Sequence, residues 1–478
     1  MIGKDARVHF VGIGGAGMSA VAHVLLAKGY RVSGSDLRRT PITERLQAKG
    51  ATIVVGHDTR HVAEADVVVA SRAVPDLNVE IVAAHARDIP VLHRAQVLGQ
   101  ILAEGYGIAV VGTHGKTTTS AMTAHVLTAG GLDPTALIGA DVETLGGNVR
   151  VGSGKYVVAE VDESDGSHVY IRPAAAVVTS LDITDHRDYY KTLPQLMTTF
   201  AGFLALISPE GFVVMCTDHR HVRELVPAVR ARVISYGLSN GTDYTATIHT
   251  MEGRRTVCTF RRHGRALGKV QLNVPGRYNV RNALAATAVG IEAGLAFTAI
   301  AGALETFGGV SRRFSVRGEV DGIMVVDDYA HNPVKVASVL RAARESWPKR
   351  RVIAIFQPHR FSRTKTTFRQ YSQAFKDATD LIITDIYPAD EQPIPGVTAD
   401  LIVDVVRPTR QVQYLREKNE LVQTLLPNLR SGDLVITLGA GDIWRIADDL
   451  VAALRERGRA APALQSPQSY PSTQSPQD

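Results

Sequence analysis

The sequence predicts an α/β protein of three domains built on largely parallel sheets. Three observations carry that prediction. Short runs rich in Val and Ile alternate with longer segments whose apolar residues recur at helical spacing. The runs are continuously apolar rather than alternating, which suits strands covered by helices on both faces. The length, 478 residues, corresponds to about three domains at roughly 100–200 residues each.

The elements follow in order. Buried strands are expected at residues 8–11, 67–70, 108–111, 157–159, 176–179, 352–356, 381–384 and 434–438. The first leads through a glycine turn into a helix over 18–28, with Met18, Val21, Val24 and Leu25 on one face and Gly29 to end it. The stretch 243–274 is strand-rich and less regular. These signals divide the chain into residues 1–105, 106–312 and 313–459. Residues 460–478, with four prolines and much Ser and Gln, have little to bury and are expected to be a disordered tail. In a parallel α/β sheet, ligands gather at the C-terminal ends of the strands, so the loops after these runs are where chemistry is sought.

Composition narrows the function classes. Apolar residues make up 45% and charged residues 21%, enough for several cores. No run of about 18 apolar residues occurs, so no membrane span or membrane partner is expected. The N-terminus lacks a secretory pattern. Cys216 and Cys258 are too few for a disulfide framework, and a reducing cytoplasm is the expected location. The net charge of +6 is spread thinly. Without a basic block, nucleic acid is not an expected partner, whereas a small anionic substrate suits the balance.

Two turns carry phosphate chemistry. Gly12, Gly14 and Gly17 satisfy G-x-G-x-x-G between a strand and a helix. Missing side chains there let backbone approach a diphosphate at the helix N-terminus. Asp36 follows where a ribose-binding acid would lie. Alone, this pattern would indicate a nicotinamide dinucleotide and an oxidoreductase. The second turn, Gly112-Thr113-His114-Gly115-Lys116-Thr117-Thr118-Thr119, departs from the general P-loop because its first glycine sits late, at 112. Its working parts remain: Gly115 for a nest of N–H groups, Lys116 for the β- and γ-phosphates, and the Thr117 hydroxyl for Mg²⁺. Downstream, Glu160, Asp162, Glu163 and Asp165 cluster at a strand end, where a magnesium-binding acid is expected. Asp182, Asp185, His186 and Asp188 follow the next strand. His186 reads as a ligand, a base or a capping residue.

The segments HFVGIGGAGMSA (residues 9–20), GSD (34–36), GTHGKTTT (112–119), AEVDESD (159–165), NVPGRYNVRNALAA (273–286), SRRF (311–314), VDDYAHNP (326–333), FQPHRFSRT (356–364) and GAGDI (439–443) occur in that order. Together they resemble the ATP-dependent Mur ligases of peptidoglycan synthesis, over nearly the whole chain except the tail. The resemblance implies a Rossmann-like N-terminal domain, a central P-loop ATPase-type parallel-sheet domain and a C-terminal Rossmann-like domain. It also implies an activity: ATP-dependent ligation of L-alanine to the lactyl carboxylate of UDP-N-acetylmuramate through an acyl phosphate.

The same resemblance implies roles for individual residues. Gly14, Gly15 and Gly17 would bind the UDP diphosphate, with Asp36, Ser71 and Arg72 near the uridine or ribose. Gly112, Thr113, His114, Gly115, Lys116, Thr117 and Thr118 would hold ATP. Thr117 and Glu160 would bind one Mg²⁺ and His186 a second. Asn279 and Asn282 would meet adenine, although a helix N-cap is the plain alternative. Arg313 would reach the phosphates and Asp328 the nucleotide. Tyr329, His331, Arg360 and Arg363 would line the alanine pocket in a C-terminal domain that closes over the site. A second His of the family pattern is replaced by Asn332. No lysine follows His186 where later-acting relatives carry a carbamylated one. His186 and His331 are candidate bases. Alternatives are a ligase recycling a preformed tripeptide onto the same sugar, a nicotinamide oxidoreductase and a non-enzymatic nucleotide-binding scaffold. The expected assembly is a monomer or homodimer.

Overall fold

The computed structural model describes residues 2–164, 166–183 and 189–460. By contact density they form two units. The first comprises residues up to 315 together with 332–348 and 373–377; the second comprises 316–331, 349–372 and 378 onward.

The first unit holds two sheets. One has the strands β1 (Arg7–Val11), β2 (Arg31–Asp36), β3 (Thr52–Val55), β4 (Val67–Ala70) and β5 (Val91–His93) in the order β3-β2-β1-β4-β5. All its pairs are parallel. The order reverses between β1 and β4, and the loops leaving those two strands therefore flank the crevice where such sheets bind ligands. The helix after β1 runs Ala16–Ala27, two residues earlier than its apolar spacing predicts, because Gly17 belongs to its first turn. Gly29, at φ +86°, ends it as expected.

The second sheet has ten strands: β6 (Tyr106–Val111), β7 (Thr135–Val142), β8 (Gly147–Arg150), β9 (Tyr156–Glu160), β10 (Ala175–Val178), β11 (Phe212–Cys216), β12 (Arg232–Tyr236), β13 (Tyr244–Glu252), β14 (Arg255–Arg262) and β15 (Arg265–Leu272). Their order is β15-β14-β13-β12-β11-β10-β6-β9-β7-β8. The middle is parallel, and β13–β15 add an antiparallel meander. That meander is the strand-rich stretch expected over 243–274. Burial explains the apolar runs. Ile108, Val110, Val158 and Val177 face one core with helix Lys116–Ala129. Ala109, Val111, Ala159 and Val178 face another, which continues through Val8 and Phe10 of the first sheet and Met18 of the helix after β1. A strand with a core on each face has no solvent side to make polar.

In the second unit, β16 (Ser315–Val320), β17 (Ile323–Asp328), β18 (Arg351–Phe356), β19 (Asp380–Ile383), β20 (Gln413–Tyr414) and β21 (Asp433–Leu438) form a sheet ordered β16-β17-β21-β18-β19-β20. From β17 to β20 every pair is parallel. Helix Trp444–Ala460 covers it through Ile446, Leu450 and Leu454, packed with Ile323, Val325 and Val435. All eight strands expected from the sequence are present, with every end within two residues of its expected place. The tail expected over 460–478 lies outside the described residues except for its first residue, which closes that helix. No helix among the described residues is long and apolar enough to cross a membrane.

Candidate active site

The first glycine turn is built on β2. Gly12 turns at φ +74°, and the Gly12 and Ile13 N–H groups donate to the Ser35 carbonyl at 2.9 and 3.0 Å. Gly14 N–H donates to Asp36 Oδ2 at 2.8 Å. Asp36 thus spends one carboxylate oxygen on the turn, a structural task beside the ribose role expected of it. Gly15 caps helix Ala16–Ala27 without a side-chain bond, leaving first-turn N–H groups for an anion. A Cβ on Gly14 would stand 2.8 Å from Asp36 Oδ2, and one on Gly17 2.8 Å from Arg94 Nη1. Sequence reasoning missed Arg94, which carries no motif. Ser71 leaves β4 beside this turn, and the Arg72 guanidinium lies 4.5 Å from the centre of the Tyr189 ring.

Beneath the turn lies a second feature the sequence did not signal. Glu80, fully buried, accepts from Ser35 Oγ at 2.5 Å. The His61 and His57 Nδ1 atoms lie 2.7 and 2.9 Å from its carboxylate. Burial alone would raise its pKa, but these bonds, with His9 Nε2 nearby at 3.7 Å, outweigh burial and bring it to about 2.

The second turn sits at the switch point of the ten-stranded sheet, where β6 lies between β10 and β9. Gly115, at φ +86°, caps helix Lys116–Ala129, again without a side-chain bond. Gly112, at φ +123°, passes so close to the strand β10 exit that a Cβ would lie 2.6 Å from the Ser180 carbonyl. Thr113 N–H donates to that carbonyl at 3.0 Å, and His114 N–H to Ser180 Oγ at 2.8 Å. His114 Nε2 lies 2.6 Å from Asp182 Oδ2. Thr118 is buried within the helix's first turn.

Lys116 Nζ is 2.9 Å from Glu163 Oε1 and 3.8 Å from Asp162 Oδ1. Burial pulls its pKa down, but Glu163, Asp162 and Glu160 outweigh that and hold it above the ordinary lysine value. The ammonium is therefore charged. Thr117 Oγ1 donates to Glu160 Oε1 at 3.0 Å, and Glu160 Oε2 accepts from Gly139 N–H at 2.7 Å. Arg313 Nη2 reaches to 3.4 Å from Thr117 Oγ1. It is carried on a turn whose neighbours, Arg312 at φ +59° and Phe314 at φ +50°, are non-glycine residues in the left-handed region. Such conformations cost on the order of 1–3 kcal/mol each and persist where surrounding structure enforces them.

A Mg²⁺ ion would find hard oxygen donors here. Thr117 Oγ1 and Glu160 Oε1 are 3.0 Å apart, which suits adjacent corners of an octahedron with bonds of about 2.1 Å. Among the described residues no group of three or more His, Cys, Asp or Glu side chains is arranged to hold a metal. That is compatible with an ion that takes its remaining ligands from phosphate and water. His186, the expected second ligand, and Asp165, Asp185 and Asp188 lie outside the described residues.

Asn279 and Asn282 are not N-caps. Gly276 caps helix Arg277–Glu292, and both asparagines are buried inside it. Asn279 Nδ2 donates to the Pro275 carbonyl at 2.8 Å, and Asn282 Nδ2 to Asn279 Oδ1 at 3.1 Å. Thr119 Oγ1 donates to Asn282 Oδ1 at 3.1 Å. Asn282 thereby ties this helix to the one that opens with Lys116.

In the second unit the residues expected around alanine gather at the ends of β17 and β18. Asp328 Oδ1 accepts from Ala330 N–H at 2.8 Å, shaping the exit from β17. The Tyr329 and His331 rings meet edge to face at 5.0 Å, and His331 and His359 lie 5.9 Å apart. Arg363 Nη1 is 3.0 Å from His359 Nδ1. Arg360, at φ +70°, extends towards Glu391, its Nε 4.0 Å from Oε1. Tyr329, His331 and Arg363 are thus linked through His359, which sequence reasoning did not select, whereas Arg360 faces a carboxylate of its own chain. In the first unit, Asn332 caps helix Pro333–Ser346 through Oδ1, a task its carboxamide performs well.

Three family models match in succession. The Mur ligase family catalytic domain covers residues 7–106, the Mur ligase middle domain 110–290, and the Mur ligase glutamate ligase domain 312–441. The UDP-N-acetylmuramate–L-alanine ligase of Trichlorobacter lovleyi is 47% identical over 457 residues, covering 95% of this chain and 100% of the relative. That of Geobacter sulfurreducens is 46% identical over 463 residues, with 96% and 100% covered. Among solved structures, the UDP-N-acetylmuramate–alanine ligase of Thermotoga maritima superposes with a TM-score of 0.80 at 29% identity, covering 95% of this chain and all of that one. A murein peptide ligase from Psychrobacter arcticus gives 0.67 at 23% identity, with 94% and 98% covered, which shows a shared fold.

Proposed function

We propose a function from one premise: this chain belongs to the Mur ligase family. It joins L-alanine to the lactyl carboxylate of UDP-N-acetylmuramate, consuming ATP and releasing ADP and phosphate. The observation that carries this reading is the difference between its two phosphate-type turns. The Gly12–Gly17 turn offers backbone N–H groups and no lysine, hydroxyl and carboxylate set, so it suits holding a diphosphate. The Lys116, Thr117 and Glu160 cluster suits moving a phosphoryl group. Relatives named for alanine ligation match over nearly the full length of both chains, which supports the choice of acceptor and amine.

The chemistry follows from the leaving-group problem. A carboxylate does not react with an amine at neutral pH, because an oxide-like group leaves poorly. Attack of the lactyl carboxylate on the γ-phosphorus of ATP breaks the bond to ADP and forms an acyl phosphate. The alanine nitrogen, as the free amine, then attacks the acyl carbon; the tetrahedral intermediate breaks its carbon–oxygen bond, phosphate leaves with that electron pair, and the nitrogen gives up a proton to solvent. Lys116, charged and aimed by carboxylates, offsets the negative charge spreading over the transferring group. Arg313 adds a second cation beside Thr117. Thr117 and Glu160 would hold Mg²⁺, which supplies further charge neutralisation when bound. Arg363, with Tyr329 and His331, would receive the alanine carboxylate, since a guanidinium pairs well with one. ATP and a UDP-sugar are cytoplasmic metabolites, and we place the enzyme there.

The test is mass spectrometry of products from UDP-N-acetylmuramate, ATP and a mixture of amino acids and a murein tripeptide. UDP-N-acetylmuramoyl-L-alanine is the expected product. A tripeptide adduct in its place would reassign the chain to a recycling ligase. ATP turnover indifferent to both co-substrates would remove the reading.

A further inference from the structure

We infer that Glu163 is a positioning residue that aims Lys116 across the phosphate turn. The inference rests on the reading of that turn as the ATP site. β9 ends at Glu160, but the chain stays extended for another residue. Val161, buried, donates its N–H to the Val110 carbonyl at 2.9 Å. This carries the following residues along the exit of β6, next to the turn. Ser164 N–H bonds Asp162 Oδ1 at 3.0 Å, and Gly166 N–H bonds the Glu163 carbonyl at 3.0 Å. The backbone bends there, and the Glu163 side chain is fully buried.

Its two carboxylate oxygens serve different parts of one loop. Oε1 pairs with Lys116 Nζ at 2.9 Å, and Oε2 accepts the Gly112 N–H at 3.3 Å. One side chain therefore ties the first residue of the turn to the lysine that closes it. An ammonium has three donors. Holding one leaves two for phosphate oxygens and fixes the direction of a long, flexible side chain whose loose rotamers would otherwise have to be ordered during reaction. Asp162 is 3.8 Å from Nζ and about half exposed, so it cannot fix that direction to the same degree. Glu160 is committed to Thr117 and Gly139. Among the described residues, the acids of the cluster thus divide the labour: Glu160 for the hydroxyl and metal side, Asp162 solvated, and Glu163 for the lysine.

Glu163→Gln separates the two contacts. Its amide oxygen can still accept from Gly112, while the charged bond to Lys116 is lost. The expected result is a kcat about 10- to 100-fold lower, the size of effect seen when a partner that orients a reacting group is removed. The ATP KM should change little, the signature of a contact that matters in the transition state, while loss of one partner of a buried charge pair should lower the melting temperature. Glu163→Asp restores the charge at shorter reach and should recover part of kcat. Crystal structures of the parent and Glu163→Gln should show one Lys116 rotamer in the parent and several in the variant. Unchanged kcat in Glu163→Gln would overturn the inference. So would a joint collapse of kcat, ATP affinity and melting temperature in both variants, which would mark a purely structural role. If the parent forms no alanine product, the functional reading falls. The Lys116 rotamer comparison then still decides the inference: a single unchanged rotamer in both proteins overturns it.

Discussion

A buried carboxylate among three histidines shows what a single residue contributes. Glu80 is held near pKa 2 against an ordinary value of 4.5. A depressed acid stabilises the fold above its unfolded pKa and loses that contribution as pH falls through the folded value. The contribution is therefore complete above about pH 4.5 and gone below about pH 2. At neutral pH, Glu80→Gln should cost roughly 3 kcal/mol, the equivalent of such a shift. Urea denaturation of both proteins should show the gap closing between pH 4.5 and 2. A gap that widens on acidification would contradict the assignment. The two thiols offer a simpler check. Burial pushes Cys216 up to about 11 and Cys258 up to about 12, and both are free and buried. Thiolate is the reactive form, so iodoacetamide at pH 8 should label neither in the folded protein and both in urea.

At the level of elements, the two glycine turns differ in what surrounds them. A Cβ on Gly17 would meet the end of the Arg94 side chain, whereas one on Gly112 would meet the Ser180 carbonyl and amide. A side-chain end can swing aside; backbone at a strand exit, held by the Thr113 N–H, cannot. Gly112 also stands at φ +123°, where an L-residue is strained. Gly112→Ala should lower the melting temperature and cut kcat/KM for ATP at least tenfold, about 1.4 kcal/mol or more. Gly17→Ala should spare ATP kinetics and weaken only UDP-sugar binding. Equal effects of the two on ATP would show that the turns do not divide as described. The turns were legible because strand, glycine and helix are contiguous. The bounds of helix Ala16–Ala27 were less so, since glycine spacing gives no sign of where helical hydrogen bonding begins.

For the whole molecule, the ligase assignment predicts a separable loss. Lys116→Ala should abolish alanine-dependent phosphate release while leaving UDP-N-acetylmuramate affinity, measured by calorimetry, within about threefold, or 0.7 kcal/mol. The reason is structural. The Gly12–Gly17 turn belongs to the five-stranded sheet and Lys116 to the ten-stranded one. Loss of both activities together would contradict the division.

The sequence by itself determined the class of molecule: parallel α/β layers, two glycine turns that open helices and the acids near the second. Each of those is a short contiguous signal, an apolar run, a left-handed glycine or a G-K-T, whose physics acts between neighbours. Only the tertiary structure decided which partner each buried charge takes. Glu163 meets Lys116 from 47 positions away and Arg313 meets Thr117 from 196. Glu80 gathers His9 from β1 and His57 and His61 from the segment that follows β3. Asn282 turns out to brace a helix rather than cap one. Such pairings depend on the order in which strands lie side by side, and no local pattern encodes that order. It follows from burying both faces of each sheet at once.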